Sequence, residues 1–137
     1  MKPHFAAVLS LSILATSSPV SAGKSTYLCK IQQAIELSDN GSLVEHSGIY
    51  KQLIGESFTI NRTTGEMIGL PFSTEAWLGG VQVLNPGGNG NGYKAIVLSG
   101  KPNVSAKYIY VAEQVDHPQK PFWGNGDNNV IFSGVCE

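Results

Sequence analysis

Cys29 and Cys136 are the two cysteines of this 137-residue chain. A thiol pair can hold a metal, cycle between reduced and oxidised forms, or form a permanent cross-link. The first two uses call for Cys-x-x-Cys spacing or neighbouring histidines, and these two cysteines have neither. An even pair near the two ends of a small exported domain reads as a structural disulfide. The loop it closes is over a hundred residues long. In the chain-entropy account such a closure stabilises the fold by about 4 to 5 kcal/mol. It also requires the first and last strands to lie side by side or face to face.

The remaining reactive types do not assemble into a known signature. Once a leader is set aside, the histidines are His46 and His117. Neither has a partner at zinc-ligand spacing, and zinc catalysis wants three protein ligands. No Gly-x-Ser-x-Gly elbow is present for a serine hydrolase. The glycine-rich segment 85–92 lacks the Gly-Lys-Ser/Thr ending of a phosphate loop and is followed by no helical pattern, so it reads as a flexible hairpin loop. Asp127 is the single carboxylate within the two Asn-rich loops at 85–91 and 124–129, too few for calcium. No cofactor or metal is therefore expected. Carboxylates gathered by the fold for hydrolysis are a matter of spatial distance, which sequence spacing does not reveal.

Three aromatic residues offer a different chemistry. Trp77, Phe122 and Trp123 fall in segments that read as loops, where large rings can anchor a partner. The competing reading is that they cap the open ends of a β core. Arg62, the one arginine, reads as an isolated surface charge.

The elements that must carry these residues begin after a leader. Lys2 precedes an apolar run from Phe5 to Ala15, a breaker at Pro19, and the small residues Val20-Ser21-Ala22. This is the layout of a signal peptide over residues 1–22. The run is shorter than the roughly 20 apolar residues that cross a bilayer, and no later stretch is apolar enough to do so. Removing it leaves 115 residues, enough for one domain, 23–137. That domain has eight basic and ten acidic residues, a net charge of −2. With no basic stripe, nucleic acid and polybasic membrane binding are set aside.

Along 23–137 the pattern is that of strands and turns. Residues 27–37 alternate, with Tyr27, Cys29, Ile31, Ile35 and Leu37 on one face. Segment 43–54 suits a strand or a short helix equally. Phe58 and Ile60 alternate with polar residues before Arg62-Thr63-Thr64-Gly65, a hairpin turn in which Gly65 takes the left-handed position and Asn61 bonds the backbone two residues on. Strands follow at 81–84, 93–99 and 107–115. The run 116–121, with Pro118 and Pro121, cannot form a central strand. Phe122-Trp123 adds at most a short edge, and 130–136 closes the chain. The expected fold is all-β, a small antiparallel barrel or sandwich of seven to nine strands closed by one disulfide.

Tyr27-Leu28-Cys29, Phe58-Thr59-Ile60-Asn61-Arg62-Thr63-Thr64-Gly65, Lys120-Pro121-Phe122 and Gly134-Val135-Cys136-Glu137 together resemble a loose group of small exported proteobacterial proteins without assigned function. In that group the hairpin often carries Asp where this chain has Asn61. A fainter likeness, to the periplasmic lysozyme inhibitors, rests on the early cysteine and Ser47-Gly48-Ile49-Tyr50, which has one residue too few for their inhibitory loop. The resemblance implies a periplasmic or secreted location and no activity. The function expected is a non-enzymatic binding module for a protein or envelope component. Its alternatives are a hydrolase with fold-gathered carboxylates and a structural envelope constituent.

Overall fold

The alternating pattern at the start of the domain produces the long strand β1, Thr26–Leu37, with Tyr27, Cys29 and Ile31 buried on its inner face. A register shift between Ile31 and Gln33 then inserts one extra residue against the neighbouring strand. Such a bulge reverses which side chains face inward. Ala34 is buried as a result, while Leu37, expected on the apolar face, is 63% exposed.

The structure, a computed structural model, describes residues 24–75, 79–88, 90–126 and 130–137. The leader expected over 1–22 lies outside them. After β1 come β2 (Leu43–Glu45), a 3-10 turn (Ile49–Leu53), β3 (Ser57–Asn61) and β4 (Met67–Ile68). Segment 43–54 thus contains both a strand and a short helical turn. The second half holds β5 (Val81–Gly88), β6 (Asn91–Leu98), β7 (Ala106–Val111), β8 (Lys120–Asn125) and β9 (Ile131–Cys136). Every described pairing is antiparallel, in the order β4-β3-β1-β9-β8-β7-β6-β5, with β2 attached to β1. The fold is an all-β half-barrel built from one sheet.

Cys29 and Cys136 are bonded to each other and sit opposite one another on neighbouring strands, with Cα atoms 3.9 Å apart. The first and last strands are therefore side by side. Beyond the bridge, Leu28 and Glu137 exchange both backbone hydrogen bonds. A disulfide of this kind belongs to an oxidising, non-cytosolic setting.

Two expectations are corrected. Residues 85–88 are not a flexible loop: they extend β5, and Gly88 pairs with Asn91 at the start of β6. Positive φ at Gly87, Gly88 and Gly90 lets the backbone turn this tightly. Nor is Phe122-Trp123 a loop or an edge, because β8 lies between β7 and β9. Pro121 is tolerated there for a local reason. Its carbonyl accepts the Ala112 N–H at 2.8 Å, so its missing donor also points toward β7, past Val111, where that strand has ended.

The inner face holds Phe58, Phe72, Phe122 and Phe132, with ring centroids 4.7 to 6.4 Å apart. Gly124 and Gly134 make room for them: a Cβ at Gly124 would come within 2.9 Å of Phe72, and one at Gly134 within 2.9 Å of Phe122. The Arg62–Gly65 turn forms as expected, with Asn61 Oδ1 accepting the N–H groups of Thr63 and Thr64 at 3.0 and 3.1 Å. Gly65, at φ +76°, packs on β5: a Cβ there would lie 2.6 Å from Val81.

Candidate functional site

Of the three aromatics singled out in the sequence, Trp77 lies outside the described residues. Phe122 and Trp123 are neighbours in β8, and in a strand neighbours point to opposite faces. Phe122, 3% exposed, belongs to the phenylalanine core, which corrects its reading as a partner contact. Trp123 is 45% exposed on the outer face.

The register brings other rings to Trp123. It pairs with Tyr110 of β7, and Tyr108 stands two residues back on the same face. The Trp123 ring centroid is 5.2 Å from that of Tyr108 and 6.5 Å from that of Tyr110. The backbone beneath is held on both sides, since β7 lies between β6 and β8, and β8 between β7 and β9. Asn125 fixes the start of β7: its Oδ1 accepts the Tyr108 N–H at 2.6 Å, and its Nδ2 donates to the Ala106 carbonyl at 2.8 Å.

Tyr110 is positioned as well. Its ring lies over Gly92 of β6, where any Cβ would collide with it, and its hydroxyl accepts a hydrogen bond from Gln114 Nε2. Continuing across the sheet, the row runs Lys94, Tyr110, Trp123, Ser133 and Gln33. Ser133 Oγ donates to Gln33 Oε1 at 3.3 Å. The adjacent row is Ile96, Tyr108, Asn125 and Ile131. Lys94 is the one charged residue in these two rows. Three part-exposed rings rimmed by amides and a hydroxyl can stack on a flat apolar surface while hydrogen-bonding its edge. Partial burial raises the Tyr108 phenol above its usual range, with Tyr110 adding to the effect, so Tyr108 presents a neutral hydroxyl at ordinary pH.

A second cluster sits where the sheet's two edges approach. Arg62 is no isolated surface charge: it pairs with Glu113 at 2.5 Å, and both side chains are largely buried. Its guanidinium also donates to the Lys24 and Pro86 carbonyls at 3.1 and 3.2 Å, and stands 4.9 Å from the centre of the Tyr27 ring. Glu113 accepts hydrogen bonds from the Tyr27 hydroxyl and the Gly88 N–H. Burial, and then the hydrogen bond to this carboxylate, raises the Tyr27 phenol well above its usual range. Tyr93 packs edge-on to Tyr27, and its buried hydroxyl has no hydrogen-bond partner among the described residues. Burial pushes its phenol up to about 12; Arg62 opposes that shift and Glu113 adds to it. With its cation and carboxylate spent on each other, this cluster is a structural clasp.

His46 meets Glu36 at 2.6 Å, and among the described residues no group of three His, Cys, Asp or Glu side chains could hold a metal ion. No described helix is long and apolar enough to cross a membrane. The alternation of Tyr108 and Tyr110 is legible in the sequence, but their meeting with Trp123 depends on a cross-strand register that no local pattern encodes. No protein-family profile, curated protein or solved structure matches the chain.

Proposed function

We propose that this chain is an exported, non-enzymatic binding module that captures an envelope component on the outer face of β7 and β8. The observation that carries the reading is the grouping of Tyr108, Tyr110 and Trp123 on strands anchored from both sides. The rings lie outside the core, where cross-strand pairing braces the sheet only modestly, and large part-exposed aromatics are what binding surfaces favour. A periplasmic or secreted location is supported by the leader-like residues 1–22 and by the disulfide.

Co-sedimentation of the purified domain with isolated cell envelopes tests the reading. Wild-type protein should pellet with the envelopes. Trp123→Ala should stay in the supernatant while melting within a few degrees of wild type. A variant that pellets as well as wild type would overturn the assignment of this face.

A further inference from the structure

The composition around the three rings restricts what can lie on them. A nucleic-acid strand also stacks on aromatics, but it needs a groove of several cations, and the two central rows offer Lys94 alone. An anionic lipid surface needs a basic cluster for the same reason. A stable protein interface covers about 800 Å² on each partner. Three rings at about 150 to 250 Å² each, already partly covered by their neighbours, would be only the centre of such an interface, and the rows beside them supply no further aromatic anchor. What remains must be flat and apolar on one side, neutral, and rich in hydroxyls at its rim.

A pyranose ring has that form. Its C–H groups make an apolar face that stacks on an aromatic ring, and its equatorial hydroxyls point outward in the ring plane. Tyr108 and Tyr110 are about 7 Å apart along β7, from the strand rise, with Trp123 beside them on β8. The platform is therefore longer than one sugar. The Gln33–Ser133 pair lies on one side of it, and Lys94 and Gln114 on the other, so neutral amides, a hydroxyl and a single ammonium group stand within reach of sugar hydroxyls. An equatorially linked strand is flat, so successive units can meet successive rings, whereas an axially linked one coils away from the sheet.

We infer that the envelope component is a glycan, specifically a β-1,4-linked pyranose strand lying across Tyr108, Tyr110 and Trp123. This rests on the proposed binding role of the same face. Its recognition is by stacking and mostly neutral hydrogen bonds, with one cation beside them, so it largely persists in high salt, unlike recognition by a charged groove.

Titration calorimetry with two soluble hexasaccharides, one of β-1,4-linked glucose and one of β-1,4-linked N-acetylglucosamine, tests the inference and separates the two sources of the shared chemistry. Saturable heat with at least one of them is expected for the wild-type domain. Trp123→Ala should weaken that binding at least tenfold without unfolding the protein. The same sugar in excess should release wild-type protein from envelope pellets, a measurement that needs no variant. Silence with both sugars, together with undiminished pelleting in their presence, would overturn the glycan assignment. The binding role of the face would still stand if Trp123→Ala failed to pellet, and would fall separately if it pelleted normally.

Discussion

Arg62 and Glu113 meet at 2.5 Å across the seam between β4 and β5, which no described strand pairing closes. Arg62 comes from the turn after β3, and Glu113 follows β7. The same arginine donates to Pro86 of β5, and the same glutamate accepts from Gly88 of β5. Side chains thus join, at one end of the half-barrel, edges that the backbone ladder leaves apart.

Removing one member of this pair should cost more than its Coulomb energy, because the other charge is left buried. Arg62→Met is expected to lower unfolding free energy by about 2 to 4 kcal/mol. Adding Glu113→Gln should restore at least half of that loss. Urea midpoints of the two variants and wild type measure both effects. A single variant as stable as wild type would show the pair to be no clasp.

Tyr93 carries a buried hydroxyl without a hydrogen-bond partner among the described residues. An unmade hydrogen bond in the interior is a standing penalty, so Tyr93→Phe should stabilise the domain or leave it within about 0.5 kcal/mol of wild type. A loss above about 2 kcal/mol at neutral pH would mean that the hydroxyl is satisfied after all.

The same phenol predicts an alkaline weakness. Unfolded, Tyr93 holds its proton to about pH 10; folded, burial holds it to about 12. The folded state therefore binds more protons in that interval. The stabilisation is complete below pH 10 and is lost as pH rises through 12. Denaturant midpoints across this range should fall, and fall less steeply in Tyr93→Phe. Parallel curves for the two proteins would assign the weakness elsewhere, with Tyr27 the next group to test, since its phenol is raised as well.

Adjacent residues of β8 should behave in opposite ways. Phe122→Ala removes a ring from the phenylalanine core and is expected to cost about 3 to 5 kcal/mol. Trp123→Ala removes a half-exposed ring and should cost about 1 kcal/mol or less. Thermal or urea unfolding distinguishes them, and equal losses would contradict the assignment of the two faces.

Reduction of the Cys29–Cys136 bond frees a loop spanning 107 positions. Unfolding free energy should drop by about 4 to 5 kcal/mol in the presence of reductant. A drop below about 1 kcal/mol would show that the backbone ladder between β1 and β9 holds the ends unaided.

Local chemistry made much of this fold legible. The alternation in 27–31 and 57–61, the Asn61–Gly65 turn and the cysteine pair each act through residues a few positions apart or through a single covalent bond. The failures have a common origin in tertiary register. The bulge after Ile31 reverses the faces of β1, though no glycine or proline marks it. Pro121 argues against a central strand unless the end of β7 is known. Arg62 looks solitary because Glu113 is brought to it only when the sheet curls. Trp123 stands out in the sequence by its ring and context, while Tyr108 and Tyr110 join it only through cross-strand pairing.

β9 is the one described strand that joins β1 through β4 to β5 through β8. It also follows all of them in the chain, so it leaves the ribosome after the strands it joins. During synthesis, two half-sheets thus wait without a shared ladder, each with an open flank where β9 will sit. A chain stopped short of Ile131 would keep both flanks bare and leave Cys29 unmated, so the keystone of the architecture is also its completeness check.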